Sequence, residues 1–115
     1  ADCAALLGPP RKHKPAVGPV RAMLETTRAE GWQGLAAAMA TADLYQTTAT
    51  LTLPTLVLAG GEDRRVPPDM QREAADLIAG AEFSLLPGAP HLSMLTDPAR
   101  FGQALGGFLT RIGHV

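Results

Sequence analysis

The spacing of apolar positions along this 115-residue chain changes its period partway along. Val17, Val20 and Leu24 fall at helical spacing, with Met23 flanking the stripe and Gly31 available to close it, which predicts a helix over roughly 16–29. Trp32, Leu35, Ala36, Met39 and Ala42 repeat that face through an alanine-rich stretch, predicting a second helix over roughly 32–42. Thr47 to Leu53 is then rich in threonine, and past Pro54 the run Thr55-Leu56-Val57-Leu58-Ala59 is apolar on both faces and ends at Gly60-Gly61. That pattern suits a parallel strand covered by helices. Met70, Ala74, Leu77 and Ile78 mark a third helix closed by Gly80, and Glu82-Phe83-Ser84-Leu85-Leu86 reads as a second short strand. Pro87-Gly88-Ala89-Pro90 forces a loop. Asp97 makes a good N-cap, Pro98 a good first helical residue, and Phe101, Leu105, Phe108 and Ile112 form one stripe through a last helix.

From Thr55 onward the order is strand, loop, helix, strand, loop, helix, which predicts an α/β architecture with parallel strands and right-handed crossovers. The two helices before it, with no strand between them, read as an appendage packed over something else. Ala1 to Pro15, with Gly8-Pro9-Pro10 and the basic run Arg11-Lys12-His13-Lys14, reads as an irregular, mostly exposed lead-in.

Composition narrows the function classes. Hydrophobic content of 46% and charged content of 18% describe a chain that buries apolar surface. A net charge of −1 supplies no field for polyanions or anionic membrane, so nucleic acid and membrane are not expected as partners. The single cysteine, Cys3, cannot close an internal disulfide and has no glycine elbow to make it a nucleophile. With no leader pattern at Ala1, a cytoplasmic location is the expectation.

In open α/β sheets, ligands and catalytic groups gather beyond the carboxyl ends of the strands. Both strand-following loops here carry a titratable residue, Asp63 and His91, separated by one crossover unit. A carboxylate beside an imidazole holds the ring in one tautomer and stabilises its protonated form, which makes two thirds of a nucleophilic triad. Taken singly, each also reads as an ordinary loop residue. His13 in its basic run and His114 at the chain end read as solvated, and no His-x-x-x-His spacing supports zinc. Trp32 reads first as a packing anchor and second as a residue lining a substrate entrance.

The segment Leu53-Pro54-Thr55-Leu56-Val57-Leu58-Ala59-Gly60-Gly61-Glu62-Asp63, followed by Val66-Pro67-Pro68, resembles the strand and acid loop of α/β-hydrolase-fold enzymes. Leu86-Pro87-Gly88-Ala89-Pro90-His91-Leu92, followed by Asp97-Pro98-x-x-Phe101, resembles their last strand, histidine loop and final helix. Both blocks stand in the family's order and spacing, and the resemblance covers roughly 31–112. Val20-Arg21-Ala22-Met23-Leu24, Gly31-Trp32-Gln33-Gly34 and Ala42-Asp43-Leu44 are most similar to the end of the helical cap of 3-oxoadipate enol-lactonases. The resemblance therefore implies a partial α/β-hydrolase fold, the last two parallel strands with their helices, with 1–46 as the end of the cap and 47–115 as the C-terminal part of the core. It implies Asp63 and His91 as catalytic acid and base, a small-molecule ester or lactone as substrate, and no metal or organic cofactor.

The family's nucleophile lies on a Gly-x-Ser-x-Gly elbow upstream of the cap. The serines here are Ser84, inside a predicted strand, and Ser93, and neither sits in such an elbow. The nucleophile and oxyanion donors would come from the missing N-terminal half of the hydrolase, and this chain alone would be catalytically silent. The alternative expectation is an inert fragment or interaction module that forms a homo-oligomer through an open sheet edge.

Overall fold

A computed structural model describes residues 6–8 and 14–114. Helix α1 (Lys14–Thr26) is followed by α2 (Ala29–Thr41) and a short α3 (Tyr45–Ala49). Strand β1 (Leu56–Gly60), helix α4 (Pro68–Leu77) and strand β2 (Glu82–Leu86) then form one crossover unit, completed by a single turn α5 (Ser93–Thr96) and the long α6 (Pro98–Arg111). The two strands pair in parallel, Leu56 against Glu82 through to Gly60 against Leu86. Their carboxyl ends, and hence the loops carrying Asp63 and His91, therefore lie at one edge of the sheet.

Local chemistry explains most of these boundaries. Pro67 stands at the N-cap position of α4 without a side-chain cap bond, and Pro68 begins the helix, where a missing N–H costs no hydrogen bond. Asp97 caps α6 by accepting from the Arg100 backbone N–H at 3.2 Å, and Pro98 occupies the first turn. Gly80 and Gly88 adopt φ of +74° at the two chain reversals flanking β2, a region where a Cβ is strained. Helix α4 packs on β1, and α6 packs against both strands.

Several expectations need correction. Helix α1 ends at Thr26, and Gly31 lies within α2, because the Thr26 and Thr27 hydroxyls bond back to the carbonyls of Ala22 and Met23 and close α1 a turn early. Leu7, placed in an exposed lead-in, is fully buried among Val20 and Leu24, and Leu6, Ala16, Val17 and Leu92 pack around them. The basic run at 11–13, with His13, and Cys3 lie outside the described residues. Tyr45–Ala49 is helical, an element the sequence pattern did not predict. Met70 is exposed, and the inward face of α4 runs instead through Gln71, Ala74, Ala75 and Ile78, the i, i+3, i+4, i+7 set one residue further on. Helix α2 buries nothing: its predicted stripe is open, with Leu35 and Met39 exposed, so Trp32 is no packing anchor.

Candidate active site

Two loops at the carboxyl ends of the strands are stitched together by main-chain bonds. The Gly61 N–H donates to the Leu86 carbonyl and the Glu62 N–H to the Ala89 carbonyl, each at 2.9 Å. Gly60 makes this approach feasible, because a Cβ there would overlap the carbonyl oxygens of Ala89 and Pro90. The histidine loop is also tied backward, since the Leu92 N–H donates to the Leu6 carbonyl at 2.8 Å.

Across that junction His91 Nδ1 lies 2.8 Å from Asp63 Oδ2. The Asp63 side chain is 2% exposed and that of His91 33%. A carboxylate so buried needs donors, and it has four. Oδ1 accepts from the backbone N–H groups of Arg65 at 2.8 Å and Val66 at 2.9 Å. Oδ2 accepts from Gln71 Nε2 at 3.2 Å and from His91. Burial alone pushes the Asp63 carboxyl upward; the Val66 N–H, His91 and the Arg65 N–H outweigh it and hold the group below its ordinary value. An ionised carboxylate only accepts, so His91 Nδ1 carries the shared proton and a neutral ring keeps its lone pair on Nε2.

His91 lines a cavity of about 520 Å³ together with Leu6, Met23, Leu24, Trp32, Arg65 and Leu92. Trp32, on the otherwise open α2, contributes to this wall. Of the expected site residues Asp63, His91 and Trp32, the fold brings His91 into contact with Asp63 and places Trp32 in the same cavity wall as His91. Gln71 went unnoticed; its signal is a polar residue at the head of the Ala74-Ala75-Ile78 face. Among the described residues no cluster of histidine, cysteine and carboxylate side chains is arranged to hold a metal. Ser84 sits within β2, and Ser93 is buried at the start of α5.

The chain carries part of an α/β-hydrolase fold, matching the C-terminal part of its relatives and structural neighbours, with Asp63 and His91 on successive strand-end loops. Its relatives in sequence and structure include enol-lactonases, carbamate hydrolases and esterases. The structure superposes on an enol-lactonase from Burkholderia xenovorans with a TM-score of 0.87 and 26% identity, covering 94% of this chain and 42% of that one. A hydrolase from Pseudomonas aeruginosa matches with a TM-score of 0.79 and 36% identity over 88% of this chain and 39% of that one. In sequence, 3-oxoadipate enol-lactonase 1 of Acinetobacter baylyi is 30% identical over 77% of this chain and 33% of its own length. A protein of Pseudomonas syringae named "Putative carbamate hydrolase RutD" is 34% identical over 64% of this chain and 28% of its own. The chain thus spans about a third of the curated relatives it matches. No family model matches it.

Proposed function

We propose that this chain supplies the acid and base of a serine hydrolase that cleaves a carboxylic ester or an enol-lactone. The observation that carries this reading is the 2.8 Å bond from Nδ1 of His91, a residue of the cavity wall, to the buried carboxyl group of Asp63. His91 Nε2 takes the proton of an attacking serine hydroxyl supplied by polypeptide outside these 115 residues, then returns it to the leaving oxygen and activates water for deacylation. Asp63 fixes the tautomer and stabilises the imidazolium at each half-reaction. The cavity takes the apolar body of the acyl group against Trp32, Leu24 and Leu92, and no metal or organic cofactor takes part. In this reading residues 1–46 are the end of a cap and 47–115 the end of the catalytic core of a cytoplasmic enzyme. An enol-lactone, a simple ester and a carbamate all present a carbonyl to the same chemistry, and the likeness to the enol-lactonases favours the lactone. The test is complementation by an upstream half bearing Gly-x-Ser-x-Gly. Ester or lactone hydrolysis should appear with both parts together and not with this chain alone, and retention of that activity in His91→Ala would overturn the assignment.

A second reading, an assembly module, is favoured by the apolar surface left open along α2 and beyond it: Leu35, Met39, Leu44 and Leu53 are 53–72% exposed. Among the described residues, both strands of the sheet also present an unpaired edge. Sedimentation at rising concentration tests this: self-association supports it, and a monomer across the range counts against it.

A further inference from the structure

We propose that Gln71 is a positioning residue that locks the Asp63 carboxylate for its bond to His91, an inference that rests on the hydrolase reading and deepens it. The side-chain amide of Gln71 carries two N–H groups, and the structure accounts for both: one reaches Asp63 Oδ2 at 3.2 Å, the other the Val66 carbonyl at 2.8 Å. Those two acceptors belong to the loop that leaves β1. Gln71 itself stands in the first turn of α4, half-buried, at the head of the inward face formed with Ala74, Ala75 and Ile78.

A polar side chain at that position gives up apolar burial on a face otherwise lined by alanine and isoleucine. What it provides is a cross-brace. The backbone N–H groups of Arg65 and Val66 fix Oδ1, but both belong to Asp63's own loop and move with it. Gln71 is the donor that ties the other oxygen, the one facing His91, to a helix packed on β1. It pins the same loop a second time through the Val66 carbonyl. Rotation of the carboxylate about its Cβ–Cγ bond would break this bond and the His91 bond together. Gln71 touches no reacting atom; it acts through Asp63.

The test reads the hydrogen bonds directly, so its outcome is independent of whether the protein hydrolyses anything. In the wild-type chain, the two side-chain amide protons of Gln71 should give separate NMR resonances with slowed exchange, and acidification should move them along the titration of the Asp63 carboxyl. Gln71→Met keeps the length and apolar stem but has no donor, and it should broaden or abolish the His91 Nδ1–H resonance. Gln71→Lys, which restores donors at similar reach, should recover that resonance. In the complemented enzyme the Met variant should lower kcat about tenfold while leaving KM within twofold. Gln71 amide protons that exchange freely and ignore the Asp63 titration would overturn the proposal, even if no variant folds. An unchanged His91 Nδ1–H resonance in folded Gln71→Met would overturn it as well. Loss of the resonance in Gln71→Met without hydrolysis in any form would leave the brace standing and refute the enzymatic reading instead.

Discussion

Replacing Gly60 by alanine tests how tightly the two catalytic loops are coupled. An added methyl group would overlap the carbonyl oxygens of Ala89 and Pro90 and lie 3.0 Å from the Ala89 carbonyl carbon. Ordinary carbon–carbon contact is about 3.5 Å, so the histidine loop must retreat by ~0.5 Å for that atom alone and further for the oxygens. These are main-chain atoms and cannot swing aside. Retreat also stretches the 2.9 Å bonds from Gly61 to Leu86 and from Glu62 to Ala89. Overpacking of this kind costs about 1–3 kcal/mol, and losing one of those bonds adds about 1 kcal/mol. The sum, about 2–4 kcal/mol, is a large part of the stability of a small domain and corresponds to a fall in Tm of roughly 8–16 °C. Urea unfolding followed by circular dichroism measures it, read from the midpoint at constant slope. A Gly60→Ala variant within about 0.5 kcal/mol of the parent would refute the close approach on which the site geometry depends.

Gly106 provides the contrasting case, since it is exposed in α6 with nothing within 4 Å of an added Cβ. Gly106→Ala should raise stability by about 0.5–1 kcal/mol in the same urea assay, and a loss there would contradict the packing of α6. Asp97→Ala removes the N-cap of α6 and frees Arg100, whose Nη2 bonds the Pro87 carbonyl at 2.9 Å; a lower Tm is expected in thermal unfolding, and no change would deny the cap a role. The folded Asp63 carboxyl lies below its ordinary value of 3.8, so its contribution is complete above that value and is lost as pH falls through the depressed folded value. Acid unfolding should therefore carry a component below about pH 3.8 that Asp63→Asn lacks, and parallel acid limbs for the two proteins would contradict the assignment.

The strands were legible because an unbroken apolar run bounded by proline and glycines has few alternatives, and Thr55 to Ala59 and Glu82 to Leu86 fall within one residue of β1 and β2. The candidate site was legible because strand-end loops carry chemistry, and the hydrolase resemblance singled out Asp63 over its neighbour Glu62 in the first loop and His91 in the second. Hydrophobic periodicity misled where partners for the apolar face are lacking: Leu35 and Met39 have a helical stripe's spacing, yet nothing among the described residues covers them. It also misled on α4, where Met70 and Gln71 compete for the inward position and a hydrogen-bonding demand from Asp63 favours the polar residue. Leu7 was lost in a proline-rich context that hid a long-range contact with Val20 and Leu24. None of these three outcomes is a local property of the chain. The Asp63–His91 contact is non-local too, but the βαβ connection alone brings those loops to one edge.

The most direct test of the account is the tautomer of His91, read from the imidazole nitrogen resonances of the 115-residue chain at a pH where the ring is neutral. With Asp63 ionised at 2.8 Å, the proton should sit on Nδ1, with Nε2 bare and able to act as the base. Asp63→Asn should abolish that preference. A neutral His91 protonated predominantly on Nε2 in the wild-type protein would contradict the acid–base pair at its root.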